Sequence, residues 1–190
     1  MQALARAAAA GRIPAAVVAV ISNRPEAAGL SWAREQGLDT ALVDHRDHPD
    51  RESHDRAVAE ELDGRGAELV CLAGYMRLLS PWFVKRYAGR ILNVHPSLLP
   101  AFPGVDAQKQ ALEYGVKLSG ASVHFVDEAL DHGPIICQRA VPVLDEDSPG
   151  SLAERILAVE HALYPEAVAL VCSGRVRLEG RRVRILGETS

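Results

Sequence analysis

Residues 91–100, ILNVHPSLLP, set two hydrogen-bonding side chains, Asn93 and His95, inside an apolar run that stops at Pro96. Side chains in a strand alternate between faces, so Ile91, Asn93 and His95 share one face and Leu92 and Val94 the other. The amide and the imidazole then project side by side, roughly 7 Å apart. Proline has no N–H to continue a ladder, which puts the pair at the carboxyl end of the strand, where open parallel sheets bind ligands. Read alone, the two groups could equally satisfy loop backbone atoms. A second polar segment bears on them: in DEALDHGP (127–134), Asp131 is followed by Gly133, a residue suited to close backbone approach. A carboxylate there can orient and charge a nearby histidine, His95 or His124, which is the pattern of acid–base chemistry. Glu160 and His161 form a helix-surface pair or face a cleft. His45, His48 and His54, in DHRDHPDRESH (44–54), match no standard metal spacing and read as part of a solvated loop.

These residues need a frame, and the rest of the chain supplies one. Residues 1–10 favour helix and end at Gly11; AAVVAVIS (15–22) reads as a buried strand, 25–37 as a helix and 40–43 as a short strand. A helix over 51–66, a strand running into a loop over 67–75 and a short helix over 81–89 precede the strand at 91. After a turn at Pro103 and Gly104 the chain becomes helical to 115. Strands over 119–126 and 134–143 follow, then a long helix over 149–174 in which Pro165 predicts a kink or break near Tyr164. Residues 175–186 read as a closing hairpin. This alternation predicts one α/β domain built on a twisted, mainly parallel sheet with helices on both faces.

Composition narrows the function. The chain has 190 residues, 48% of them hydrophobic, and 21 Lys and Arg against 25 Asp and Glu give a net charge of −4. No global basic field draws it to nucleic acid or an anionic membrane. Arg12 and Pro14 interrupt the apolar amino-terminal stretch, and no run is long enough to span a bilayer. Cys71, Cys137 and Cys172 are far apart with no C-x-x-C pair, which reads as reduced thiols in a cytoplasmic protein. No G-x-G-x-x-G follows a strand and no P-loop occurs, so dinucleotide and P-loop nucleotide sites lose their support.

The segments LAGYMRLLSPWF, YAGRILNVHPSLLPAFPGVDAQKQALEYGVKLSGASVHFVDEALDHGPII and EHALYP resemble, in order from residue 1 to about residue 178, the folate-dependent glycinamide ribonucleotide formyltransferases of purine synthesis. That family has a Rossmann-like formyltransferase fold. The resemblance implies transfer of a formyl group from the co-substrate 10-formyltetrahydrofolate to the amine of glycinamide ribonucleotide, without metal. It implies that Asn93 hydrogen-bonds the formyl oxygen, that His95 is the imidazolium that stabilises the developing oxyanion, and that Asp131 raises the histidine's pKa. It further implies a folate pocket of Arg51, Met76, Arg77, Leu78, Leu79 and Val126, with Glu160 on the ribonucleotide sugar and His124 in support. The expected partners are these two small molecules, with no nucleic acid and no membrane, and a monomer or weak homodimer.

The family begins with a strand and a Gly- and Ser-rich loop around the substrate phosphate, and Met1 falls inside the helix that follows them. Residues 1–190 are therefore expected to form a formyltransferase domain that is N-terminally incomplete relative to the family, with its phosphate-binding residues unassigned, and to be unstable and inactive unless extended upstream. Two rival readings accompany the formyltransferase: a 10-formyltetrahydrofolate hydrolase, in which water replaces the amine, and a non-catalytic folate-binding remnant.

Overall fold

The computed structural model describes residues 1–187. The elements are α1 (Gln2–Ala9), β1 (Val20–Ser22), α2 (Ala28–Glu35), β2 (Thr40–Leu42), α3 (Arg51–Gly64), β3 (Val70–Leu72), α4 (Pro81–Arg86) and β4 (Ile91–His95). Then come α5 (Ala107–Tyr114), β5 (Leu118–Phe125), β6 (Ile135–Pro142), α6 (Pro149–Cys172), β7 (Val176–Glu179) and β8 (Arg182–Ile185). Local chemistry explains several boundaries. Asp50 and Ser148 each open a helix with a reciprocal capping box, satisfying N–H groups that a helix start leaves unpaired. Ser80 caps α4, and Pro81 stands at its first turn, where a missing N–H costs nothing.

The fold class is α/β, as expected. Among themselves the first four strands pair in parallel, β1 with β2 and β3 with β4. β5 and β6 then extend the sheet antiparallel, giving the order β3-β4-β5-β6. Helices cover both faces. On one, Leu92 and Val123 of the sheet pack with Leu4 of α1, Ala111 of α5 and Ile156 and Leu163 of α6. On the other, Ile91 packs with Ala59 and Leu62 of α3, Phe83 of α4 and Tyr87 at its C-cap. Ile91 and Leu92 thus anchor opposite faces of β4, each worth roughly 1.5–3 kcal/mol when fully buried. A one-residue slip would put both on the wrong side, so this anchoring fixes where Asn93 and His95 point.

Three expectations need correction. The strand expected over 15–22 is confined to Val20–Ser22 and is half-buried, with Val18 exposed. The strand expected over 67–75 pairs only over Val70–Leu72. An apolar run makes a strand only where a partner continues the ladder, and here the pairings are three residues long. Of the kink or break expected near Tyr164, the break is absent: α6 runs through Pro165 to Cys172. Burial of Leu163, Tyr164, Ala167 and Val168 against the sheet holds the helix together across the lost hydrogen bond. The Tyr164 hydroxyl adds a tether, lying 2.9 Å from the Leu72 carbonyl and 3.0 Å from that of Leu92.

Candidate functional site

β4 ends at His95, and its antiparallel pairing sets Asn93 opposite His124 and His95 opposite Ser122. Directly opposed residues share a face, so four polar side chains meet where the strand stops. The register between β5 and β6 shifts at Val123 and His124, an irregularity of the kind that re-aims a side chain beside a site. His124 is buried, and its Nδ1–H donates to the Phe125 carbonyl at 2.8 Å. Burial holds this imidazole below its usual pKa, against the pull of that bond and of the Asp131 charge. Neutral, with its proton on Nδ1, the ring turns an Nε2 lone pair to Asn93 Nδ2, 3.4 Å away. One amide hydrogen of Asn93 is thereby engaged and the other is free to donate.

His95 is held on both sides. Its Nε2–H donates to the Phe102 carbonyl at 2.8 Å, and its Nδ1 lies 3.3 Å from Asp131 Oδ2. The second contact is close but lacks the alignment of a hydrogen bond, so a proton on Nδ1 can be shared with a reacting group beside the carboxylate. Asp131 also lies 3.8 Å from His124 Nε2, and it accepts the Gly104 N–H at 2.8 Å. His95 and Asp131 are almost buried, with side chains 5% and 9% exposed, which strengthens every charge between them.

Two backbone features make this loop possible. Asp131 stands at φ +47°, a left-handed conformation that Asp tolerates better than most residues. Gly133 passes so close to β5 that a Cβ there would lie 1.8 Å from the Phe125 carbonyl oxygen, as its glycine led one to expect. The chain after His95 is fixed by residues that sequence reasoning missed. Ser122 Oγ donates to the Ser97 carbonyl at 2.6 Å and accepts from the Leu99 N–H at 2.9 Å and from Gln138 Nε2 at 2.8 Å. Ser122, two residues before His124 in a strand, could have been found by alternation; Gln138 depends on the strand register.

The other expected residues fall around this cluster. Tyr75, in the loop after β3, is pushed up to about 12 by burial and by the Asp55 charge, with Arg77 and Arg51 pulling the other way. Arg77 Nε is sealed from solvent with no hydrogen-bond partner among the described residues. Met76 and Leu78 are 77% and 52% exposed, whereas Leu79 turns into the packing beneath α4. Val126 donates its N–H to the Ile91 carbonyl at 2.9 Å and so begins the Asp131 loop alongside β4. Glu160 is half-buried one turn before Tyr164; burial pushes its carboxyl pKa up, partly offset by the amino terminus of Met1. It makes no hydrogen bond or ion pair among the described residues. His54 corrects an expectation: it is wholly buried, its Nε2–H donating to the Val43 carbonyl at 3.1 Å. Among the described residues no group of His, Cys, Asp and Glu is arranged to hold a metal ion.

The formyl transferase family matches residues 1–168. The chain belongs to that family. Its relatives include phosphoribosylglycinamide formyltransferase of Escherichia coli K12, 43% identical over 178 residues that make up 94% of this chain and 84% of the relative. The trifunctional purine biosynthetic protein adenosine-3 of Drosophila melanogaster is 48% identical over 162 residues, 85% of this chain but only 12% of that much longer protein. Among solved structures of family members, glycinamide ribonucleotide transformylase 1 of Symbiobacterium toebii superposes with a TM-score of 0.96 at 54% identity, covering 97% of this chain and 87% of that one.

Proposed function

We propose that the protein transfers the formyl group of 10-formyltetrahydrofolate to the amine of glycinamide ribonucleotide in purine biosynthesis. The observation that carries this reading is the meeting of Asn93, His95, Asp131 and His124 at the end of β4 in a member of the formyl transferase family. Attack of an amine on a formyl carbon builds negative charge on the formyl oxygen, and fixed donors aimed at that oxygen lower the barrier. The free amide hydrogen of Asn93 is one such donor. A proton on His95 Nδ1 is the other, with the Asp131 carboxylate 3.3 Å away and positioned to take part in removing the proton of the attacking amine. His124, kept neutral by burial, fixes which way the Asn93 amide faces.

The residues around the loop after β3 fit a formyl folate. Met76 and Leu78 offer apolar surface to a flat ring, Arg77 Nε is a buried donor with no acceptor among the described residues, and Arg51 is an exposed cation for an acidic tail. The loop from Val126 to Asp131 makes the opposite wall, and Glu160 is assigned to the ribonucleotide sugar. The three free cysteines agree with a cytoplasmic enzyme, which we take to be a monomer or weak homodimer. Among the described residues no helix is long and apolar enough to cross a membrane.

The test is to mix the protein with 10-formyltetrahydrofolate, with and without glycinamide ribonucleotide, and to follow free folate and formate. Folate release that depends on the ribonucleotide, with formylated ribonucleotide as product, is the expected result. Formate release without ribonucleotide would replace this reading by the hydrolase, and folate binding without turnover by the non-catalytic remnant.

A further inference from the structure

The loop that carries Asp131 is gripped from outside by a residue far along the chain. Arg181 stands in the turn between β7 and β8, exposed on the surface. Its Nη2 donates to the His132 carbonyl at 2.8 Å, and its Nη1 lies 2.8 Å from His132 Nε2. Nδ1 of the same ring, 3.0 Å from Arg181 Nη1, lies 2.9 Å from Asp127 Oδ2. The guanidinium therefore holds the residue immediately after Asp131, and Asp127 ties that residue to the opposite end of the loop. β8 packs beside β6, so the turn is presented from a fixed strand pair.

Such a grip has a purpose in the geometry. A non-glycine residue at φ +47° persists only where its surroundings over-determine it. Inside the fold Asp131 is held by the Gly104 N–H and by the tight passage of Gly133 under Phe125. On the outer side, among the contacts of the described residues, Asp127 ties His132 within the loop and Arg181 holds the same residue from outside it. We propose that Arg181 is a positioning residue for Asp131: the hairpin-tip guanidinium keeps loop 127–133 in the conformation that presents the carboxylate to His95. The inference rests on the formyl-transfer reading for its kinetic consequence, but the clamp itself is a structural statement. Arginine suits the role because its planar fork reaches a carbonyl and a ring at once, which an ammonium group cannot do.

The experiment compares wild type, Arg181→Ala, Arg181→Lys and Asp131→Asn by steady-state kinetics, thermal melting and amide hydrogen exchange at Gly104, whose N–H is held by Asp131. Arg181→Ala should lower kcat by about 5- to 50-fold, short of the roughly 10²-fold cost of a full 1 Å misplacement, with KM for the ribonucleotide within about twofold. Its Gly104 amide should exchange faster, its melting temperature should match wild type, and Arg181→Lys should fall between the two. Wild-type kcat and unchanged Gly104 exchange in Arg181→Ala, beside an impaired Asp131→Asn, would overturn the clamp and leave the formyl-transfer reading standing. Full turnover in Asp131→Asn would overturn the reading instead. The Gly104 exchange in Arg181→Ala would then still decide the clamp, for it if faster and against it if unchanged.

Discussion

Two buried histidine–aspartate contacts in this protein are built almost alike. His95 gives Nε2–H to the Phe102 carbonyl and sets Nδ1 3.3 Å from Asp131, which accepts the Gly104 N–H. His54 gives Nε2–H to the Val43 carbonyl and sets Nδ1 3.4 Å from Asp55, which accepts the Ser80 N–H at 2.6 Å. Burial, pairing and backbone anchors are shared, so none of these separates a site from a strut. The surroundings do. His95 stands at a strand end beside Asn93 and His124, where several polar side chains meet. His54 and Asp55 are consecutive residues inside α3, and their partners are the end of β2 and the N-cap of α4. Asp55 ties the loop after β3 to α3, which makes the second pair a brace beneath the proposed folate wall. Perturbed or paired ionisable groups mark a functional site only when other groups aim at the same place.

The largest effect that could break this comparison is on turnover. His95→Ala or Asn93→Ala should lower kcat by about 10²- to 10⁴-fold with little change in melting temperature. His54→Ala should do the reverse, lowering the melting temperature while kcat per folded molecule stays within a few-fold. Initial rates and melts on the same preparations check both, and equal kcat losses at the two histidines would erase the distinction.

The aspartates sharpen it. Removing one partner of a buried charged contact costs about 3–5 kcal/mol, so Asp55→Ala, which also strands the Ser80 N–H, should lower the melting temperature by about 6–20 °C at the 2–4 °C per kcal/mol of a chain this size. Asp131→Ala should instead lower kcat by about 10²-fold, and combining it with His95→Ala should cost less than the product of the two.

A smaller effect is on stability against pH at His124. Its folded pKa is depressed by burial, so the stability it contributes is present above the unfolded value, about 6.5, and is lost as pH falls through the folded one. His124→Gln should flatten that part of the stability curve, measured by melts between neutral and mildly acidic pH. A curve that falls as steeply in the variant would remove the neutral His124 from the account.

The smallest is at Glu160. Burial raises its folded pKa, so its stabilising contribution is present below the unfolded carboxylate value, about 4.3, and is lost as pH rises through the folded value. Glu160→Gln should therefore melt slightly higher at neutral pH and gain nothing in acid, while KM for the ribonucleotide rises. A higher melting temperature with unaltered KM would keep the burial and discard the sugar contact.

Much of this was legible in the sequence because it is local. A period of two put Asn93 and His95 on one face, and Pro96 closed the strand after them. Asp50, Ser80 and Ser148 open helices by capping chemistry that depends on a few neighbours. Residue type and the nearby Gly133 singled out Asp131 but left His95 and His124 as alternative partners, and the resemblance to the formyltransferases chose His95. What only the tertiary structure decided is non-local. The β4–β5 register sets His124 against Asn93, and the contacts between loops bring Asp131 within 3.3 Å of His95. The Ser122–Gln138 bonds that fix the chain after His95 depend on a third strand, and the unbroken path of α6 through Pro165 depends on the sheet beneath it. His54 shows the converse: its polar neighbourhood suggested solvent, and the packing of α3 buried it. Side-chain periodicity and caps are written within a turn or two of chain, whereas burial and register are set by whichever distant segment packs alongside.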